Sequence, residues 1–229
     1  MSFYQEMRRK ADPLWEAVFD HPFVKGIGDG TLPQDRFEFY LKQDYVYLVD
    51  FSRVFALAGA KASALPEMGT FATLMNVTLN TEMGLHRRTC AAFGIPEQDL
   101  EKTRRGLVTS AYTDFLVRTC YEGDLSDILA MLVPCACGYV EIAKRLRSQG
   151  VPDNRFYKDW IDTYSSAEFA DFADWLIGRM DDHADGAPGR RREYWYRLYE
   201  ESTRYEYLFF DMSWNKEEWP ASIMGKAGG

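Results

Sequence analysis

Three stretches of the chain read as apolar helical stripes, and each carries one side chain of the wrong polarity for a core. In the first, Phe37, Leu41, Leu48, Phe51, Phe55 and Ala58 recur at helical spacing, and Asp44 interrupts them. The second runs Leu125, Ile128, Leu132, Cys135, Tyr139, Ile142, Leu146, with the thiol and the phenol one turn apart. The third runs Trp195, Leu198, Tyr199, Ser202, Glu206, Phe209, Ser213, with Glu206 at its centre. A thiolate is a strong nucleophile, and a buried carboxyl acquires a pKa suited to moving protons near neutrality. A thiol beside two such acids has the parts for covalent catalysis assisted by proton transfer.

Each residue also has an ordinary structural reading. An unpaired carboxylate at position 44 would cost roughly several kcal/mol, so Asp44 needs a partner, commonly a tyrosine or a helix end. Tyr47 lies three residues on, over a neighbouring part of the same face. A helical cysteine is most often a small hydrophobe. Cys135 and Cys137 cannot share a metal ion, because two residues turn a helix by about 200°. Cys90, Cys120 and Cys137 are therefore read as core or boundary residues. Glu206 would ordinarily pair with an arginine, but Arg204 points elsewhere on the helix. Three helices, each with one ionisable group in mid-stripe, are a different case, since buried polar groups must satisfy one another. The expectation is one interior cavity in which Asp44, Cys135, Tyr139 and Glu206 meet, with Tyr112 and Tyr164 as candidate walls.

The elements that must position these groups are all helical. Helical periodicity predicts segments over about 3–19, 33–61, 66–94, 97–122, 125–149, 154–184 and 188–215, with convincing alternating strands absent. Breaks are expected near Gly106 and near Tyr164–Ser166. Pro134, just before Cys135, removes one backbone N–H and predicts a kink, and Gly138 leaves room for a close approach. Seven or eight helices joined by short turns define an all-α, single-domain bundle over residues 1–229, with about 216–229 as a partly irregular tail.

Composition narrows the function classes. The 229 residues are 46% hydrophobic and 15% aromatic, as in a globular chain whose pocket could hold a flat ligand. The net charge of −8 and the lack of a basic patch argue against nucleic acid as a partner; Arg190–Arg192 reads as a solvated helix start. No run is read as long enough to cross a bilayer, and Met1–Glu6 lacks the apolar core of a signal peptide. Four cysteines without a secretory signal point to free thiols in a reducing cytoplasm.

Three segments together resemble a known family. Leu132–Tyr139, reading LVPCACGY, is similar to the Pro-Cys-x-x-x-Tyr segment of the thiaminase II (TenA) enzymes. Gln43–Leu48, QDYVYL, resembles their Asp-x-x-Tyr motif, and Tyr205–Phe210, YEYLFF, their Tyr-Glu-x-x-Phe motif. Order and spacing agree over essentially the whole chain. The resemblance implies a heme-oxygenase-like fold without heme, assembled as a homotetramer and acting on an aminopyrimidine or on thiamine. It implies Cys135 as nucleophile, Glu206 as the acid on the pyrimidine edge and Asp44 as a pyrimidine-binding carboxylate. It also implies Tyr112 and Phe209 as the aromatic pair around the ring, and Tyr47, Tyr139 and Tyr164 as hydrogen-bonding tyrosines.

The chemistry so implied needs no metal or organic cofactor. A thiolate adding to the ring lets the adjacent CH2–X bond break, and water then captures the methylene. The thiol needs a proton acceptor, for which Asp44 or a tyrosine-linked network is available. Rival readings are a metal-dependent oxygenase, a cofactor-free oxidase, a DNA-binding regulator and a pyrimidine-binding protein without catalysis. The first needs several histidines and carboxylates at helical spacing, whereas only His21, His86 and His183 exist. Glu82 and His86, four residues apart, read as a surface or structural contact, and His21 and His183 lie near helix ends.

Overall fold

A computed structural model describes residues 1–220, and every regular element among them is helical. In order these are α1 (Phe3–Lys10), α2 (Asp12–Asp20), α3 (Pro22–Asp29), α4 (Gln34–Lys61), α5 (Leu65–Val77), a π-helical turn (Thr78–Glu82) and α6 (Met83–Ala92). There follow α7 (Glu97–Glu101), α8 (Leu107–Glu122), α9 (Leu125–Gln149), α10 (Arg155–Tyr164), α11 (Ala167–Ala184) and α12 (Gly189–Asn215). The all-α class is as expected. The segments outnumber the expected helices because α3 is additional and four long stretches subdivide: at Ala11 and at the π turn, and at the expected breaks between α7 and α8 and between α10 and α11. The part of the expected tail from residue 221 onward lies outside the described residues.

Local signals account for most boundaries. Ser2 and Gln5 form a capping box at α1, and Asp124 and Asp127 form another at α9. At the end of α6, Gly94 adopts φ 77°, and the amides of Gly94 and Ile95 bond back to Ala91 and Cys90 in a Schellman arrangement. Helix α3 is the element periodicity missed, because Gly26 and Gly28 lower its helical propensity. Both glycines serve packing instead. A Cβ on Gly26 would lie 3.0 Å from Leu32, and one on Gly28 would lie 2.6 Å from Leu146 Cδ2.

Helix α9 is the centre of the bundle, in contact with α3, α4, α8, α10, α11 and α12. It corrects one expectation. Its most apolar 18-residue window has a mean hydropathy of 1.6, enough by length and composition to cross a membrane, but 89% of that window is buried inside the protein. A helix apolar on all sides is what a bundle centre requires. Each of its buried Leu, Ile, Val and Met side chains contributes about 1.5–3 kcal/mol. Gly138 permits the closest approach to it: a Cβ there would sit 2.1 Å from Trp15 Cη2 of α2. The indole so admitted donates from Nε1 to the Tyr199 hydroxyl of α12 at 3.1 Å. The Arg190–Arg192 run is less solvated than expected, since Arg191 pairs with Asp124 and Asp127, and Arg192 with Glu6.

Candidate active site

Cys135 lies half-way along α9, between the buried Pro134 and Ala136, yet it alone of the four cysteines is not buried. The Tyr47 hydroxyl of α4 points at Sγ from 3.8 Å. Burial first, then the nearby Glu206, pushes the thiol well above its ordinary pKa.

Glu206 on α12 is buried, and its carboxyl faces the Tyr112 hydroxyl of α8 at 2.5 Å and the Cys135 thiol. Its pKa is pushed up to about 7, chiefly by loss of solvation. Proton counting explains how it is held. The Tyr112 hydroxyl also lies 3.1 Å from Ser202 Oγ, which donates to the Met131 carbonyl at 2.8 Å. With Glu206 protonated, each hydroxyl passes its proton along the chain from Glu206 through Tyr112 and Ser202 to Met131. With Glu206 ionised, Tyr112 turns its proton to the carboxylate. Both forms are accommodated, as a group that takes and returns protons requires. Arg204 plays no part here, because it pairs with Glu200 and Glu201.

Asp44 has a partner the sequence reading did not assign. Its Oδ2 lies 2.6 Å from Nε2 of His86, and both residues are buried. His86 Nδ1 sits 3.0 Å from the carbonyl oxygen of Glu82. The surface reading of the Glu82/His86 pair is thus overturned, because the π turn rotates this segment inward against α4. The preference of Asp44 for His86 also removes it as the nearest acceptor for the thiol; Glu206 is the carboxyl beside Cys135. Glu82 itself is pushed up to about 7 by burial and by the charge of Asp44, and receives the Tyr164 hydroxyl at 3.4 Å.

The remaining aromatics join the two acid groups. Tyr47 has ring contacts with Tyr112 at 5.2 Å and Phe209 at 5.6 Å between centroids. Tyr139 packs on Tyr164 at 4.7 Å, and its hydroxyl lies 3.5 Å from that of Tyr40. Tyr40, fully buried one turn before Asp44, also receives Trp160 Nε1 at 3.3 Å and abuts Phe209. All eight residues singled out from the sequence thus belong to one connected cluster. His86, Glu82, Tyr40 and Trp160 belong to it as well. A signal for His86 existed: a mid-stripe aspartate demands a partner, and a histidine four residues from a glutamate is a ready one. Tyr40 and Trp160 carried none, being aromatics on ordinary core positions. Among the described residues no group of three or more His, Cys, Asp and Glu is arranged to hold a metal ion.

The fold is of the heme-oxygenase-like class. It superposes on a domain of unknown function with that fold from Shewanella denitrificans with a TM-score of 0.73 at 13% identity, covering 99% of this chain and 96% of the other. The sequence profile of the TENA/THI-4/PQQC family matches residues 8–216, and the chain belongs to that family. An aminopyrimidine aminohydrolase of Halalkalibacterium halodurans is 40% identical over 220 residues, 96% of this chain and 98% of the relative. The crystal structure of a TenA family transcription regulator from Silicibacter sp. TM1040 is 36% identical with a TM-score of 0.86, covering 93% and 96% of the two chains.

Proposed function

We propose that the protein is an aminopyrimidine aminohydrolase of the thiaminase II type, which releases ammonia from an aminomethyl-aminopyrimidine, or the thiazole from thiamine, by cysteine catalysis. The observation that carries this reading is the apposition of the half-buried Cys135 to a carboxyl whose pKa is pushed up to about 7, amid an aromatic cluster. The full-length similarity to an aminopyrimidine aminohydrolase supports the same reaction.

The steps follow from the residues. Ionised Glu206 takes the Cys135 proton as Sγ bonds to the ring carbon next to the one bearing CH2–X, and it delivers that proton to a ring nitrogen. Burial makes an isolated thiolate costly, so transfer to an adjacent base during attack is the economical route. The ring, no longer aromatic, expels X as its bond to the methylene breaks, and the amine, which carries an extra proton at neutral pH, leaves as ammonia. Water adds to the exposed methylene and releases the equivalent proton to solvent; the C–S bond then breaks as Glu206 takes the ring proton and hands it to sulfur, restoring aromaticity and the thiol. The balance is R–CH2–NH2 plus water to R–CH2–OH plus ammonia. Tyr112 holds Glu206, Tyr47 donates to sulfur, and Phe209 with Tyr112 flanks the ring. Asp44 binds the pyrimidine polar edge, with Tyr139 and Tyr164 lining the same side.

Four unpaired cysteines support a reducing cytoplasm as its compartment. The homotetramer rests on the family resemblance, with exposed Leu65, Met68, Val77 and Leu79 on α5 and the π turn as apolar surface available for assembly. A DNA-binding role is disfavoured by the net charge of −8. The deciding experiment is turnover of aminomethyl-aminopyrimidine and of thiamine by wild type and Cys135→Ser. Hydroxymethylpyrimidine formed by wild type alone supports the reading; equal turnover by the variant overturns it.

A further inference from the structure

The Asp44–His86 contact has a property that follows from hydrogen-bond directionality. Among the described residues the one hydrogen-bond partner of His86 Nδ1 is a backbone carbonyl oxygen, the Glu82 O at 3.0 Å, which can accept but never donate. Nδ1 therefore carries a proton. Nε2, 2.6 Å from Asp44 Oδ2, is left with two states: an imidazolium donating to a carboxylate, or a neutral ring accepting from a carboxylic acid. Burial opposes the charged ring, but the bond to Asp44 and the charges of Asp44 and Glu82 outweigh it, so the His86 pKa is raised. The ion pair is the favoured state.

The backbone builds this arrangement deliberately. The π turn Thr78–Glu82 sits between α5 and α6, and it presents the Glu82 carbonyl and the His86 ring together to α4. π turns cost hydrogen-bond quality and recur at functional sites. Among the described residues no second hydrogen bond reaches Asp44, so its Oδ1 remains for a ligand. The titratable groups that sense the pair are Glu82 from the turn, Tyr40 from α4, Cys135 and Tyr139 from α9, Tyr164 from α10 and Glu206 from α12.

We propose that His86 is the positioning residue of the substrate-binding carboxylate: locked by the Glu82 carbonyl, its ring fixes Asp44 in one rotamer as an anion, leaving the other oxygen to receive the amino group of the pyrimidine. The proposal rests on the aminopyrimidine reading for the identity of the ligand. The Asp44–His86 ion pair itself does not.

Two measurements test it. The chain holds only three histidines, so nitrogen NMR of the histidine-labelled, unliganded protein resolves His86. The ring is expected to keep its second proton to a higher pH in wild type than in Asp44→Asn. A titration midpoint that Asp44→Asn leaves unchanged overturns the proposal whatever the enzyme turns over. In kinetics on aminomethyl-aminopyrimidine, His86→Ala is expected to lower kcat/KM by roughly 10- to 100-fold, mainly through KM, as loss of a charged hydrogen bond implies. His86→Gln, which keeps a donor and guards against a folding defect, should recover part of that loss. On an Asp44→Asn background His86→Gln should cost less than about twofold more, because residues acting through one another are not additive. Full additivity would show that His86 acts elsewhere and would overturn the assignment. Absence of turnover in wild type would instead count against the aminopyrimidine reading, leaving the nitrogen spectra to decide the pair.

Discussion

The Tyr112 hydroxyl on α8 lies 2.5 Å from Glu206 Oε1 on α12, and the same carboxyl borders the Cys135 thiol of α9. One acid thus touches both a thiol and a phenol whose proton can point either way. The chemistry proposed for the site depends on that acid being neither fully charged nor fully neutral near pH 7.

Cys135→Ser is expected to lower turnover by at least about a thousandfold, since a hydroxyl in a buried site is a far weaker nucleophile than a thiolate. Thermal unfolding and calorimetric binding of hydroxymethylpyrimidine should change little, because the oxygen replaces sulfur without leaving a large void. Turnover close to wild type would remove Cys135 from the mechanism.

Glu206→Gln is expected to reduce kcat by roughly 100- to 10,000-fold, the range for loss of a general acid–base. In the proposed mechanism the thiol's acceptor is the ionised carboxyl, so kcat/KM should rise with pH through about 7 and fall away below it. The variant should lose that limb. A residual rate with the same pH profile would assign the ionisation to another group.

The same carboxyl has a sign-determined effect on stability. Its folded pKa, about 7, exceeds the ordinary 4.5, so the folded state binds more protons between those values and stability falls as pH rises across them. Glu82, also pushed up to about 7, acts in the same direction. Glu206→Gln should therefore melt a few degrees higher than wild type at pH 8 and close to it at pH 4.5. A variant less stable at pH 8 would contradict the burial account.

Tyr112→Phe removes one hydroxyl from the chain Glu206–Tyr112–Ser202 and leaves the ring in place. Its expected effect is a roughly tenfold loss in kcat with KM nearly unchanged, corresponding to one hydrogen bond of about 1.5 kcal/mol to a charged group. Steady-state kinetics on aminomethyl-aminopyrimidine measures the split; a change confined to KM would make Tyr112 a binding group only.

Gly138→Ala is expected to destabilise the protein by about 1–3 kcal/mol or more, because the added methyl meets Trp15 Cη2 at 2.1 Å and the indole is held by Tyr199. Denaturant unfolding checks it. A midpoint unchanged from wild type would mean that α2 yields freely at this contact.

The helices themselves were legible in the residues because the cause is local: apolar spacing, caps and proline or glycine stops act within one or two turns. That is why α4, α9 and α12 run close to where the periodicity predicts. It failed at α3, where Gly26 and Gly28 look like breakers until the distant Leu32 and Leu146 occupy the space a Cβ would take. It also misjudged α9 as unremarkable in length and hydropathy, since the signal of a bundle centre and that of a membrane span differ only in what surrounds them.

The site divides along the same line. Asp44, Cys135 and Glu206 declared themselves from sequence alone, because a polar group on an apolar stripe is costly enough to require a reason. Which acid lies beside the thiol, and that Asp44 pairs with His86, only the tertiary structure decided. Those pairings join residues 71 and 42 positions apart, and the second depends on the π turn ahead of α6. Partner choice among buried charges is set by ångström-scale proximity between helices, and nothing in the spacing along a single helix encodes it.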